Sequence, residues 1–73
     1  MKLSDARRSD VLTVTYFPSG TPALQARRLG LSAGSNLCCI FVLPGGPVVI
    51  RLQRQMIAIG RSLADGILVE VSR

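Results

Sequence analysis

The sequence predicts a mainly β fold, a small five-stranded barrel with one short α-helix between strands 1 and 2, and three features point to it. The run Leu29-Gly30-Leu31-Ser32-Ala33-Gly34-Ser35 reads as a helix stop, a tight turn and a strand entrance. A glycine directly after the last apolar helical residue accepts the left-handed backbone that costs a residue with a Cβ about 1–2 kcal/mol. Gly34 supplies a second permissive position where the chain turns into extended structure. Pro44-Gly45-Gly46-Pro47 lies between two apolar runs, two prolines fixing entry and exit around two glycines, and suits a hairpin loop. The chain is 48% hydrophobic with only three aromatics, Tyr16, Phe17 and Phe41. Its core must therefore come from Val, Ile and Leu, and β-branched residues favour strands.

Each element follows in order. Val11 to Phe17 alternates, with Leu12, Val14 and Tyr16 on one face and Val11, Thr13, Thr15 and Phe17 on the other, as in a half-buried first strand that Pro18 ends. Thr21-Pro22 offers a cap residue followed by proline at the first helical position, opening a helix over Pro22 to Leu29. Its apolar stripe is thin and centred on Leu24 and Leu29, so it is stable only when docked. Leu37 to Leu43 is almost wholly apolar, as expected of a strand covered on both faces or strongly curved. Val48 to Gln53 alternates with Val48, Ile50 and Leu52 inward. Met56 to Gly60 sets Ile57 and Ile59 against Met56 and Ala58. Ser62 to Asp65 reads as one helical turn capped by Ser62, and Gly66 releases the chain into a last strand, Ile67 to Val71. Five strands with the helix after the first close a small SH3-like barrel. The ends, Met1 to Ser9 and Ser72-Arg73, are expected to fray, with Leu3 as a residue that could dock.

The block Arg28-Leu29-Gly30-Leu31-Ser32-Ala33-Gly34, the Gly45-Gly46-Pro47 turn with its alternating strand, Met56-Ile57-Ala58-Ile59-Gly60-Arg61 and the closing Ile67-Leu68-Val69-Glu70 stand in an order that resembles the ferrous iron transport protein A (FeoA) family. The likeness runs from Met1-Lys2-Leu3-Ser4-Asp5 to Val71, so the whole of 1–73 reads as one such domain. The resemblance implies a small SH3-like domain in the bacterial cytoplasm. It also implies an accessory role in ferrous iron uptake, through contact with a membrane ferrous iron permease that carries a GTPase domain (FeoB-like). The chain departs from the family where Ala26 and Arg27 stand in place of larger apolar residues, and where Arg8-Ser9-Asp10 lacks a glycine before the first strand.

Composition narrows the function independently. At 73 residues the chain is the size of one small domain, burying about 60% of its unfolded surface. The longest apolar run, Leu37 to Leu43, is far shorter than the roughly 20 residues that span a bilayer, and the N-terminus is not a signal peptide. No direct membrane insertion is expected, and the reading is a cytoplasmic protein, membrane-associated only through a partner. Adjacent Cys38 and Cys39 point to opposite faces of a strand, so one buried and one partly exposed thiol is expected, without a disulfide. With no histidine and with Asp5, Asp10, Asp65 and Glu70 scattered, neither a metal site nor a cofactor is expected. A nucleophile or general base would need a positioned partner that the sequence does not offer, which argues against an enzyme. Gly45-Gly46 joins two strands, whereas phosphate cradles feed a helix N-terminus.

The net charge of +5 admits nucleic acid, an anionic surface or an acidic protein. Single-strand binders stack bases on exposed aromatics, and Tyr16 is the only aromatic here with an obvious polar edge to offer, so nucleic acid is not the expected partner. The mixture of Leu24 and Leu29 with Arg27 and Arg28, continued into the Leu31 turn, resembles an interface of apolar contacts rimmed by arginine. Leu24, Arg27, Arg28, Leu29 and Leu31 are the candidate partner-binding residues. The plain alternative is a helix that only plugs the end of the barrel. Two other functions stand beside the iron-uptake reading: a free-standing relative of the SH3-like domain of iron-dependent repressors, disfavoured by the lack of a helical DNA-binding segment, and a small basic RNA- or ribosome-associated barrel. The oligomeric state is not legible.

Overall fold

The computed structural model describes residues 1–72. Its strands are β1 (Val11–Tyr16), β2 (Asn36–Val42), β3 (Val48–Leu52), β4 (Gln55–Ile59) and β5 (Leu68–Val71), with α1 (Thr21–Arg28) after β1 and α2 (Arg61–Gly66) after β4. All five strands join one antiparallel sheet in the order β4-β3-β2-β1-β5. The expected mainly β fold with its helix between the first two strands is present, in an SH3-like arrangement, but the barrel is not closed. β4 and β5 end the sheet on opposite sides, because the chain between them runs through α2, whose Ala64 is fully buried. Arg73 lies outside the described residues.

The β3–β4 hairpin matches the alternation of the sequence. Val48, Ile50 and Leu52 are buried from β3, Ile57 and Ile59 from β4, while Met56 and Ala58 face outward. Leu52 pairs with Gln55 across a two-residue turn in which Gln53 takes φ 56°. Elsewhere a β-bulge changes the face. In β1 the register against β5 shifts between Val14 and Tyr16, so Tyr16 is 54% exposed and Phe17 turns into the core, the reverse of strict alternation. A second shift lies between Cys39 and Phe41 in β2. A bulge sets two residues against one, and every side chain beyond it changes sides.

The helix α1 is buried by its small residues. Ala23 and Ala26 are in the core, whereas Leu24 and Leu29, expected to anchor it, are each 47% exposed. Short alanine side chains let the backbone of α1 approach the sheet closely, and the long leucines on either side are left outside. Gly20, at φ 109°, precedes the first turn and its carbonyl accepts from the Leu24 amide at 2.9 Å; Thr21 begins the helix and makes no capping hydrogen bond. Likewise Gly60 precedes α2, so Ser62 lies within the helix rather than capping it.

Gly30 takes φ 103° and the Leu31 amide donates back to the Ala26 carbonyl at 3.2 Å, closing α1 as the sequence indicates. A Cβ at Gly30 would meet Leu52 Cδ2 at 3.6 Å, an ordinary contact, so the cost of Gly30→Ala is conformational. We expect a loss of about 1 kcal/mol, read as a lower denaturation midpoint at unchanged slope; an unchanged midpoint would remove the argument.

The N-terminal segment is docked, not frayed. Leu3–Asp5 forms one 3-10 turn, and Leu3 is fully buried. Its amide donates to the Ile67 carbonyl at 2.8 Å, Lys2 bridges Leu68, and Met1 exchanges bonds with Val69 at 2.8 and 2.7 Å. These bonds cover the outer edge of β5. An apolar Leu3 beside an otherwise open edge gains both burial and backbone pairing, which outweighs the entropy of ordering a short end. Ser4 Oγ donates to Asp65, joining this turn to α2.

Candidate functional site

The residues proposed from sequence for partner binding fall into two groups. Leu24, Arg27, Arg28 and Leu29 are all exposed on α1 and the residue after it. Leu31 is not available: it is fully buried, because the turn at Gly30 directs it back under the helix into the core. The exposed candidates are therefore Leu24, Arg27 and Arg28 on α1 and Leu29 directly after it. The Arg27 guanidinium stands 5.4 Å from the centre of the Phe17 ring, a cation–π contact that holds this side chain against the end of β1. Arg28 is exposed and makes no such contact among the described residues.

Beneath α1 lies an open groove of about 580 Å³. One wall is α1 with Pro22, Ala26 and Leu29, the other the β4 segment Ile57–Gly60, and Leu63 of α2 lies at the end. Gln55 Nε2 donates to the Leu29 carbonyl at 2.7 Å and fixes the end of α1 against the start of β4. The far end of the groove carries Arg61, which donates to the Leu43 carbonyl at 3.0 Å and ties α2 to the β2–β3 turn. The groove was not legible in the sequence, since its walls come from segments roughly thirty residues apart.

Neither thiol is placed for chemistry. Cys39 is fully buried in β2 and Cys38 is half-buried on the other face, as the adjacent pair requires. Burial, and then the negative charge of Asp10 and the neighbouring thiol, raises the Cys39 thiol above its ordinary 9.0, opposite to the activation a nucleophile needs. Because the folded state holds this proton more tightly than the unfolded chain, the associated stability is whole below pH 9.0 and is lost as pH rises through the folded value. Melting temperature should thus fall on the alkaline side more steeply in the native protein than in Cys39→Ala. Parallel alkaline profiles would refute this linkage. Among the described residues no three His, Cys, Asp or Glu side chains converge on a common point. Nor is any helix among them long and apolar enough to cross a membrane.

Comparison with known proteins gives a consistent pattern. The family model described as FeoA domain matches residues 1–71. A crystal structure of an iron uptake regulatory protein (FeoA) is 26% identical, covers 94% of this chain and 93% of its own, and superposes with a TM-score of 0.84. The solution structure of a FeoA protein from Chlorobium tepidum is 30% identical over all of this chain and 71% of its own, with a TM-score of 0.83. Iron(II) transport protein A from Clostridium thermocellum is 27% identical with a TM-score of 0.87, covering 97% of this chain and 45% of its own. No curated protein matches.

Proposed function

Since the chain belongs to the FeoA domain family, we propose that it serves ferrous iron transport as a small accessory protein, acting in the cytoplasm through contact with a membrane ferrous iron permease that carries a GTPase domain. Iron is the cargo of that system and not a ligand of this domain. The protein works by binding and not by catalysis. The observation that carries this reading is the outward face of α1: Leu24 and Leu29 each stay 47% exposed beside Arg27 and Arg28, on a helix that is already anchored by Ala23 and Ala26. A helix needed only as a plug would turn its leucines inward, because burying one is worth about 1.5–3 kcal/mol. Leucines left outside and rimmed by arginine are the anatomy of a contact surface.

The test is recovery of the permease from detergent-solubilised membranes on immobilised protein. Arg28→Glu and Leu24→Ala are expected to weaken recovery by on the order of 1–2 kcal/mol, roughly five- to thirtyfold, because central anchors dominate interface energy. Arg8→Glu, an equal charge change outside α1, should have little effect. Both α1 side chains are exposed, so folding survives either change and melting temperature verifies it. Equal recovery with Arg28→Glu and Arg8→Glu would make α1 a structural cover and overturn the assignment.

A further inference from the structure

The charge of this protein is segregated along its fold. From Val11 to Ala64 the chain carries five arginines, Arg27, Arg28, Arg51, Arg54 and Arg61, and no carboxylate; outside that stretch four cations meet all four acids and cancel. The whole net charge of +5 therefore belongs to the stretch that forms α1, the β3–β4 hairpin and the start of α2. One of these arginines lines the groove and two more flank the strand that forms its wall. Arg61 lines one end of the groove, Arg51 stands opposite Met56 across the β3–β4 ladder, and Arg54 directly precedes β4 in the turn.

The same groove borders a bare strand edge. Among the described residues β4 has β3 as its single neighbour, whereas the far edge of β5 is covered by Met1 to Leu3. In an antiparallel ladder alternate residues exchange both backbone bonds. The two-residue turn makes Leu52–Gln55 such a pair, which makes Ile50–Ile57 and Val48–Ile59 the next. The N–H and C=O of Met56 and Ala58 are thus directed away from β3, and among the described residues they make no backbone bond outside the ladder. Natural edges are blunted by lysine, proline or a bulge; β4, reading Gln-Met-Ile-Ala-Ile and paired with β3 without a register shift, has none of these.

We infer that the free edge of β4 takes up an extended acidic segment of a protein partner as an added strand, seated in the groove against α1. The inference rests on the docking reading above only for the identity of that partner. Side chains of an added strand alternate in direction. One set lies over Ala26, Leu29 and Leu63 and is apolar; the other lies beside Met56 and Ala58, near Arg51, which is opposite Met56, and is acidic. A second copy of this chain is disfavoured, because its β4 would bring the same arginines into like-charged opposition. Nucleic acid is disfavoured because no aromatic side chain lines the groove on which a base could stack.

The probe is a fluorescent peptide of about eight residues alternating Val and Glu, long enough to cover the roughly 17 Å of β4. Binding is read by anisotropy, and the site by amide shifts in an NMR titration of the full chain. Saturable binding with the largest shifts at Met56 and Ala58 is expected, with at least tenfold weakening when Lys replaces Glu in the peptide and in the Arg51→Glu/Arg54→Glu variant. Ala58→Pro removes an N–H directed away from β3 and is tolerated on an edge; it should abolish binding while the amide spectrum stays folded. Should it unfold the chain, an N-methylated peptide that cannot donate along one edge gives the same test and should lose binding tenfold or more. Shifts centred on β5, binding unaffected by the Lys peptide, or a single-stranded oligonucleotide or anionic vesicles competing at the same edge with equal affinity would each overturn the inference. If the permease is recovered equally by native protein and Ala58→Pro, this strand site falls and the α1 reading stands; if the peptide binds β4 but no permease is recovered, the reverse holds.

Discussion

Leu31→Ala is expected to lower the free energy of unfolding by about 2–5 kcal/mol, while Leu24→Ala, seven residues earlier, changes it by about 0.5 kcal/mol or less. Both are leucines in or beside α1, and sequence alone groups them in one surface. Leu31 is fully buried and Leu24 is 47% exposed, so truncation leaves a cavity at one and removes wetted surface at the other. For a domain of this size the total stability is roughly 4–11 kcal/mol, so the Leu31 variant loses a large share of it. Each kcal/mol shifts the melting temperature by about 4–8 °C, which separates the two variants in a single thermal scan. Equal shifts in the two would contradict the burial of Leu31. The pair also guards the interpretation of binding data, because a loss of partner recovery in Leu31→Ala would report unfolding and not contact.

Leu3→Ala is expected to have an effect of the same size, about 2–5 kcal/mol, although Leu3 is only the third residue of the chain. Its side chain is fully buried, and its amide bond to Ile67 is one of three backbone hydrogen bonds that hold Met1 to Leu3 along β5. Losing the side chain should therefore release the pairing as well. Native-state hydrogen exchange provides a second measurement: the Val69 amide, bonded to the Met1 carbonyl at 2.7 Å, should exchange at the rate set by global unfolding in the native protein and much faster in the variant. Fast exchange at Val69 in the native protein, or a melting temperature unmoved by Leu3→Ala, would show that the N-terminal segment lies outside the cooperative unit.

The legible parts of this protein are those governed by local chemistry. Alternation with period two placed Val48, Ile50, Leu52, Ile57 and Ile59 inward, because a two-residue hairpin carries register across its turn without help from the rest of the molecule. Gly30 was placed at the end of α1 because positive φ is a property of one residue and its immediate neighbours. Four of the five candidate contact residues were found at the surface for a related reason: an eight-residue helix with two arginines near its end has few positions to turn inward.

The tertiary structure decided what depended on distant partners. Tyr16 and Phe17 exchanged faces because the bulge in β1 is set by its pairing with β5, some fifty residues away. The buried face of α1 is Ala23 and Ala26, not Leu24, because the closeness of the sheet, which the helix sequence does not encode, selects small side chains. Leu31 passed from surface to core through the turn at Gly30. The sheet stayed open because α2 separates β4 from β5, and Met1 to Leu3 covered one of the two edges so created and left the other bare. The order of the residues alone determined the strands, the turns and a basic stretch without a carboxylate from Val11 to Ala64. Only the packed chain set Arg61 in a groove with α1 and put Arg51 beside an unpaired edge, since charge and backbone polarity become a surface only when segments remote in sequence are held side by side.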